Sequence, residues 1–358
     1  MRVRVTVAVA GVSMVMGLSA VYAAKTRVNP MVALLEQQQP VFGLYAPSAR
    51  AGRGGARAGA PGAPAAAGTA APATPPAAPA TKTPAELAKE TLAFAESDFI
   101  FDGGMESGVD RGLPAYTDFV NALVEGGLQV KSPEPHLSHA LVVKMQEIGT
   151  DYAKATEAIG KQLDAGVTTI MFVGTESAAE AEAGIKAMRF KNKGGTRADA
   201  VGNAPKVWGL SEADYKKKAD LWPVNPDGEL VNWTIVESKE GLAHVREIAA
   251  VKGLGVLWPG AGTLRGVFSS PKLGADGKPE MNAQGRPVMV QDPVAWEAAI
   301  QQVLSACKEF KVACGFPSNT PEDMELRYKQ GFRVFVASWG EGGFNMVKKG
   351  LEISGRKK

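Results

Sequence analysis

The sequence predicts an α/β protein built as a single (β/α)8 TIM barrel. Eight short segments rich in Val, Ile and Phe alternate with helical patterns through most of the 358 residues. Each segment is apolar throughout, as is typical of parallel strands covered on both faces. No Gly-x-Gly-x-x-Gly motif follows the first strand, which weakens the alternative of a doubly wound nucleotide-binding sheet.

The predicted strands are spaced regularly enough to leave room for one helix after each. Several of these helices begin at a capping residue, as at Ser177, Ser238 and Thr320. The predicted strands cover residues 40–45, 98–102, 140–145, 168–173, 232–237, 255–258, 311–315 and 332–337.

Residues 1–23 have the pattern of a secretory signal peptide. Arg2 and Arg4 give a positive start, an apolar run follows, and the segment ends in Val21-Tyr22-Ala23 with small residues at the cleavage positions. We therefore expect an exported protein, periplasmic or secreted. An uncleaved N-terminal membrane anchor is the alternative, because the run approaches the length that spans a bilayer.

Residues 47–82 are almost entirely Ala, Pro, Gly, Arg and Thr, a composition that cannot bury a core and predicts disorder. A short helix and a strand precede this stretch at residues 26–46. We therefore interpret it as an insertion after the first strand, since long loops cost little stability. The remainder of the barrel is expected at residues 83–355.

The bulk composition excludes some classes of function. A net charge of +3 with no dense basic face gives no case for nucleic-acid binding.

Cys307 and Cys314 are expected to be two buried free thiols. A disulfide between them is the alternative, because the predicted export makes it chemically possible.

Two loops are unusually long, at residues 190–232 and 263–290, and the first is expected to carry an extra helix near 211–220. Loops of this length in a compact domain are often functional, and both are expected on the carboxyl side of the barrel. Arg197 in the first loop is a candidate for contact with a substrate carboxylate.

Barrel enzymes carry their reactive residues at the carboxyl ends of the strands. The predicted strands place Asp102, Glu106, Lys144 and Glu237 there, followed by the Gly260-Ala261-Gly262-Thr263 loop. The three histidines are expected elsewhere, so acid–base work would fall to carboxylates, Lys144 or bound water.

Two segments carry a family resemblance. Thr234-Ile235-Val236-Glu237-Ser238 and Leu257-Trp258-Pro259-Gly260-Ala261-Gly262-Thr263-Leu264 resemble the HpcH/HpaI aldolase family, the 2-oxo-acid aldolases related to citrate lyase. Further matching stretches extend over almost the whole chain after the leader, except the Ala/Pro-rich insertion. The resemblance implies a divalent metal, Mg2+ or Mn2+, that stabilises an enolate. It also implies a 2-oxo acid and an aldehyde as substrates, and a homo-oligomer.

Residue by residue, the resemblance implies that Glu237 is a metal ligand and that Lys144 and Glu106 are catalytic. Asp102, at the end of the second strand, is a further catalytic candidate. Gly260, Ala261, Gly262 and Thr263 would bind substrate. The sequence departs from the family where Thr263 replaces the second carboxylate ligand, Lys144 replaces an arginine, and Ser107 replaces a histidine.

These departures leave other functions open. The barrel could have lost catalysis and bind a small anion or a protein. Lys144 could form a Schiff base with a carbonyl substrate. A structural role in the cell envelope is a further alternative.

Overall fold

The structure, a computed structural model, describes residues 26–48, 81–132 and 134–358. Its strands are β1 (Val41–Tyr45), β2 (Phe99–Asp102), β3 (Gln129–Val130), β4 (His136–Leu137), β5 (Ala140–Lys144), β6 (Thr169–Phe172), β7 (Leu221–Trp222), β8 (Leu230–Val236), β9 (Leu254–Pro259), β10 (Ser269–Pro271), β11 (Met289–Gln291), β12 (Ala313–Pro317) and β13 (Val334–Ala337).

Helices follow the strands and cover the outside of the sheet. The α-helices are α1 (Pro30–Glu36), α2 (Pro84–Ala93), α3 (Val109–Gly126), α4 (Tyr152–Asp164), α5 (Ala178–Met188), α6 (Ala204–Trp208), α7 (Glu212–Lys218), α8 (Lys239–Ala243), α9 (Val245–Ala249), α10 (Ala261–Val267), α11 (Pro293–Phe310), α12 (Pro321–Gln330) and α13 (Glu341–Ser354). The predicted caps Ser177, Ser238 and Thr320 each accept a hydrogen bond from a backbone N–H of the first turn.

Eight parallel strands close into a barrel. Their hydrogen-bonded order is β6, β5, β2, β1, β13, β12, β9 and β8, and pairing of β6 with β8 closes the ring. Each predicted strand overlaps one of these eight with its ends within two residues. The predicted (β/α)8 barrel is therefore confirmed.

Aromatic side chains fill the inside of the barrel. The ring of Trp233 lies 4.8 Å from that of Trp258 and 5.1 Å from that of Phe99. On β12, a Cβ atom at Gly315 would lie 2.2 Å from the ring of Trp258, so glycine makes the room that this ring occupies. Helix α1 closes the amino end with the buried side chains of Met31 and Val32.

The position of the predicted insertion agrees with the order of the elements, because residues 49–80 fall between β1 and α2. The predicted signal peptide at 1–23 and the disorder predicted within 47–82 lie outside the described residues, apart from the ends of the latter segment. Within the described part of the chain, the helices are too short or too polar to cross a membrane.

The long segment at 190–232 lies at the amino end of the barrel, so its predicted carboxyl-side position is wrong. It follows α5 rather than a strand, and connections after helices return to the amino ends of the strands. The extra helix predicted within it is present as α7. The segment at 263–290 follows β9 and lies on the carboxyl side, where β10 and β11 form an antiparallel hairpin.

The expectation of two free thiols is also wrong, because Cys307 and Cys314 form a disulfide. Helix α11 ends at Lys311, which adopts a left-handed conformation with φ of 56°, and the chain turns directly into β12. This turn brings the two Cα atoms to 5.7 Å, within bonding range.

A buried ion cluster fastens the C-terminal tail beneath β2. Asp98 is 1% exposed and accepts hydrogen bonds from both terminal nitrogens of Arg356, at 2.7 and 2.8 Å, and from the Phe42 N–H. The Nζ atom of Lys358 lies 3.0 Å away. Burial alone would raise the pKa of Asp98, but the hydrogen bonds and charges of Arg356 and Lys358 outweigh it and lower this pKa.

The Asp98 cluster predicts a pH-dependent stability. A lowered folded-state pKa stabilises the fold above the unfolded pKa, near 4, and this contribution is lost as pH falls through the folded value. Asp98→Asn should therefore lower the free energy of unfolding at pH 7 by about 3–5 kcal/mol. Urea unfolding from pH 7 to pH 2 should show the difference from the wild type shrinking towards the acid end.

Asp110→Asn is the matched control, because exposed Asp110 also pairs with a lysine, Lys161, at 2.7 Å. It should change stability little at any pH. A constant difference between wild type and Asp98→Asn down to pH 2 would contradict the assignment.

Candidate active site

An open cleft of about 800 Å3 lies at the carboxyl end of the barrel. Five glutamates line it and, among the described lining residues, there is no lysine or arginine. The cleft therefore has an acidic surface that favours a cation over a free anion. The lining glutamates are Glu106, Glu147, Glu176, Glu180 and Glu237.

Glu237 follows β8 and is held by two neutral donors. Its Oε1 accepts the Gly174 N–H at 3.0 Å, and its Oε2 accepts the Thr263 hydroxyl at 2.7 Å. The carboxylate lines the cleft and has no cationic partner among the described residues. This is the environment of a carboxylate available to an added cation.

Lys144 and Glu106 form an ion pair at the edge of the cleft. Lys144 ends β5, Glu106 follows β2 in a short 3-10 helix, and the Lys144 Nζ lies 2.7 Å from a Glu106 carboxylate oxygen. The side chain of Lys144 is 12% exposed and that of Glu106 is 38% exposed. Sequence reasoning placed both residues correctly at strand ends, and the structure brings them into contact.

The predicted substrate loop contributes through Thr263. Gly260 precedes α10, and Ala261, Gly262 and Thr263 form its first turn. Only Thr263 of the four lines the cleft, while the Ala261 carbonyl accepts the Trp296 indole N–H at 2.9 Å. A Cβ atom at Gly260 would lie 2.2 Å from the Cβ of Glu237, so this glycine allows the two segments to approach.

Asp102 does not line the cleft. Its carboxylate accepts the Gly104 N–H at 2.6 Å and so shapes the turn that carries Glu106. Burial raises the pKa of Asp102, against the opposing effect of this hydrogen bond. Asp102 therefore positions the turn that carries Glu106 and does not itself line the cleft.

The prediction that Arg197 contacts substrate is wrong. Arg197 is 2% exposed, pairs with Asp164 at 2.8 Å, and donates to the Tyr215 hydroxyl at 3.1 Å. Asp164 ends α4, so the whole contact lies towards the amino end of the barrel. Arg197 lies in the long segment that follows α5, and a segment after a helix lies at the amino end of the barrel, away from the cleft.

Histidine is absent from the described residues that line the cleft. His136 forms part of β4 and His139 precedes β5, both towards the amino end, and burial lowers the pKa of His139 to about 4. His244 lies nearer, with its Nδ1 3.0 Å from the carbonyl oxygen of Glu176. The ionisable side chains that line the cleft in the described part of the chain are thus carboxylates.

Sequence reasoning missed Gln146 and Glu180 among the residues that line the cleft. Gln146 follows β5 together with Glu147, and this position just past a strand end could have identified it. Glu180 lies in the first turn of α5, where its carboxylate accepts the Glu176 N–H at 3.0 Å. Outside the lining, Tyr45 ends β1, and burial together with the charge of Glu106 raises its pKa to about 12.

The described residues contain no group of three or more His, Cys, Asp or Glu side chains arranged to hold a metal ion. Glu237 supplies a single carboxylate beside the Thr263 hydroxyl. Mg2+ is commonly held by one or two protein carboxylates together with substrate oxygens and water. The cleft therefore fits such an ion through one protein carboxylate, with water and substrate completing its shell.

Comparison with known proteins agrees with this architecture. A curated hydroxypyruvate/pyruvate aldolase of Pseudomonas aeruginosa is 30% identical over 182 residues, which is 51% of this chain. The matched region covers 58% of that aldolase, so the likeness spans less than two thirds of the relative. No protein-family model matches the sequence.

Two solved structures share the fold. An HpcH/HpaI aldolase/citrate lyase family protein from Burkholderia cenocepacia J2315 superposes with a TM-score of 0.55 at 19% identity, covering 86% of this chain and 92% of that one. The citrate synthase SbnG superposes with a TM-score of 0.51 at 15% identity, covering 91% and 97%.

Fold and cleft together define a (β/α)8 barrel with its candidate site at the carboxyl ends of the strands. With the curated relative, they confirm the resemblance to the HpcH/HpaI aldolase family that the sequence indicates.

The contact between Gly260 and Glu237 predicts a specific effect of substitution. Gly260→Ala should displace the Glu237 backbone and lower the free energy of unfolding by about 1–3 kcal/mol, the usual cost of overpacking. Gly266→Ala, in the same helix, is the control, because no atom lies within 4 Å of the added methyl group. Chemical denaturation measures both, and equal stabilities of the two variants would contradict the proposed contact.

Proposed function

We propose that the cleft cleaves or forms a carbon–carbon bond of a 2-oxo acid through an enolate, with an aldehyde as the second reactant and a divalent metal as cofactor. The observation that carries the proposal is that one cleft is lined by Glu237, by Thr263 and by Glu106, which is paired with Lys144. The likeness to a hydroxypyruvate/pyruvate aldolase supports the same reaction class.

Glu237 would hold the Mg2+ or Mn2+ ion. The acidic surface supports this, since a 2-oxo acid is an anion and would be repelled by five glutamates without an intervening cation. When bound, the ion would supply Lewis-acid polarisation of the 2-oxo group. Thr263 would position Glu237 through the hydroxyl hydrogen bond at 2.7 Å and contact the substrate at the cleft wall.

Lys144 would stabilise the negative charge that develops on the substrate oxygen as the enolate forms. Its short tether to Glu106 fixes the ammonium group at the cleft edge. Glu106 would accept the proton of the substrate hydroxyl as the carbon–carbon bond breaks and the aldehyde leaves. The same proton, returned to the enolate carbon, completes the oxo-acid product.

Calorimetric titration of Mg2+ and Mn2+ into the protein, with and without pyruvate, tests the metal site. We expect binding that pyruvate strengthens and that Glu237→Gln abolishes. Glu240→Gln is the matched control, because Glu240 lies three residues further on and its side chain is 64% exposed. Metal binding unchanged in Glu237→Gln would overturn the assignment of this ligand.

A gain of affinity is a sharper test of the same site. Thr263→Asp would place a second carboxylate beside Glu237, and ligand charge tunes the affinity of oxygen sites. We expect Mn2+ to bind roughly tenfold more tightly or better, because one anionic ligand is added. Thr156→Asp, at a half-buried position on α4, adds the same charge outside the cleft lining and should leave the affinity unchanged.

A second function, a barrel that binds a small ligand without turnover, is favoured by one observation. A neutral hydroxyl stands at the position of the second carboxylate, and the described residues form no three-ligand group. Absence of metal binding in every titration, including that with Thr263→Asp, would favour this alternative. Export, as the leader sequence predicts, stays part of the proposal for either function.

A further inference from the structure

A second cavity, of about 640 Å3, lies at the amino end of the barrel, opposite the acidic cleft. We call it the amino-end cavity. Its walls come from the start of β9, the turn between α11 and β12, and the segment before β13. Its volume is typical of small-molecule sites, which run from about 300 to 1,000 Å3.

The charge of the amino-end cavity is opposite to that of the cleft. Lys308, Lys311 and Arg333 line it, and its described lining residues include no aspartate or glutamate. Neither lysine forms an ion pair within the described part of the chain, where many other lysines do, as Lys161 and Lys216 show. Three cations without carboxylate partners around one concavity favour an anionic ligand.

Arg333 is already held in place. Its Nη1 donates to the carbonyl oxygens of Tyr328 and Phe332, at 3.0 and 2.8 Å, and its guanidinium carbon lies 4.6 Å from the centre of the Tyr328 ring. These contacts fix the plane of the group and leave Nη2 without a described protein partner. A fixed guanidinium with a vacant donor is suited to a carboxylate or phosphate.

The amino-end cavity also has apolar lining residues. Trp222, Leu254, Leu304 and Val312 line it, and Leu254 and Leu304 are buried. An indole and aliphatic side chains provide apolar surface for the body of a ligand. The ligand chemistry that fits the cationic and the apolar lining residues together is therefore an anionic group on an aromatic or aliphatic body.

A disulfide bond constrains the turn that carries the two lysines. Cys307 precedes Lys308, Cys314 follows Lys311, and the disulfide between them closes the turn that carries both lysines. Both cysteines also line the cavity. The turn is thus pinned at both of its ends, which reduces the entropy lost when a ligand orders it.

We infer that the amino-end cavity, lined by Lys308, Lys311, Arg333 and Trp222, is a binding site for an amphipathic organic anion, separate from the acidic cleft. The site is independent of the proposed lyase reaction. The start of β9 at Leu254 lines the cavity and its end leads to Gly260 beside Glu237, so one strand joins the two ends of the barrel.

Calorimetric titration of the purified protein with phenyl phosphate, benzoate and inorganic phosphate tests the inference. EDTA in all solutions keeps the cleft free of divalent metal. We expect phenyl phosphate and benzoate to bind and inorganic phosphate to bind more weakly, because it lacks the apolar body. Failure of both organic anions to bind, or binding of inorganic phosphate as tight as that of phenyl phosphate, would overturn the inference.

Variants assign the binding to this cavity. The double substitution Lys308→Gln with Lys311→Gln should weaken phenyl phosphate binding roughly tenfold or more, since hydrogen bonds to charged groups contribute at least that factor. Both lysines are exposed, so the fold should be unaffected. Lys348→Gln, an exposed lysine on α13, is the matched control and should bind as the wild type does. Equal affinities for the double variant and the wild type would contradict the site.

Discussion

Closure of the sheet between β6 and β8 is the constraint on which the rest of the structure depends. Pairing of Thr169–Phe172 with residues 231–234 closes the eight parallel strands into one ring and brings their carboxyl ends together. The aromatic contact of Trp233 with Trp258 and Phe99 fills the space that closure encloses. Glu237 reaches the cleft because it directly follows β8, one of the two closing strands.

The cleft at the carboxyl end and the cavity at the amino end have lining residues of opposite charge. At the carboxyl end, glutamates follow the strands, and Lys144 is neutralised by Glu106 at 2.7 Å. At the amino end, Lys308 and Lys311 lie at the end of a helix, and no aspartate or glutamate is among the described residues that line their cavity. The barrel therefore has a cleft that favours cations at one end and a cavity that favours anions at the other. We expect that their ligands do not compete.

Much of the fold could be predicted from the sequence, because each barrel strand is a short apolar run and several helices begin at a recognisable cap. The position of a residue was predictable where it ends a strand or follows one closely, as with Lys144, Glu106 and Glu237. The prediction from the sequence failed for Arg197, because its segment follows a helix and Arg197 pairs with Asp164 at the amino end of the barrel. The sequence also did not predict the Cys307–Cys314 disulfide, because a seven-residue spacing does not reveal the sharp turn at Lys311.

Hydrogen–deuterium exchange at the methyl group of pyruvate tests the central claim most directly, because exchange requires the enolate and no aldehyde. Proton NMR in D2O with Mg2+ would follow the loss of the methyl signal. The account predicts exchange faster than in buffer with Mg2+ alone, and loss of that excess in both Lys144→Met and Glu237→Gln. No exchange above the buffer rate in the wild-type protein, under conditions where Mg2+ and pyruvate bind, would contradict an enolate-forming site in this cleft.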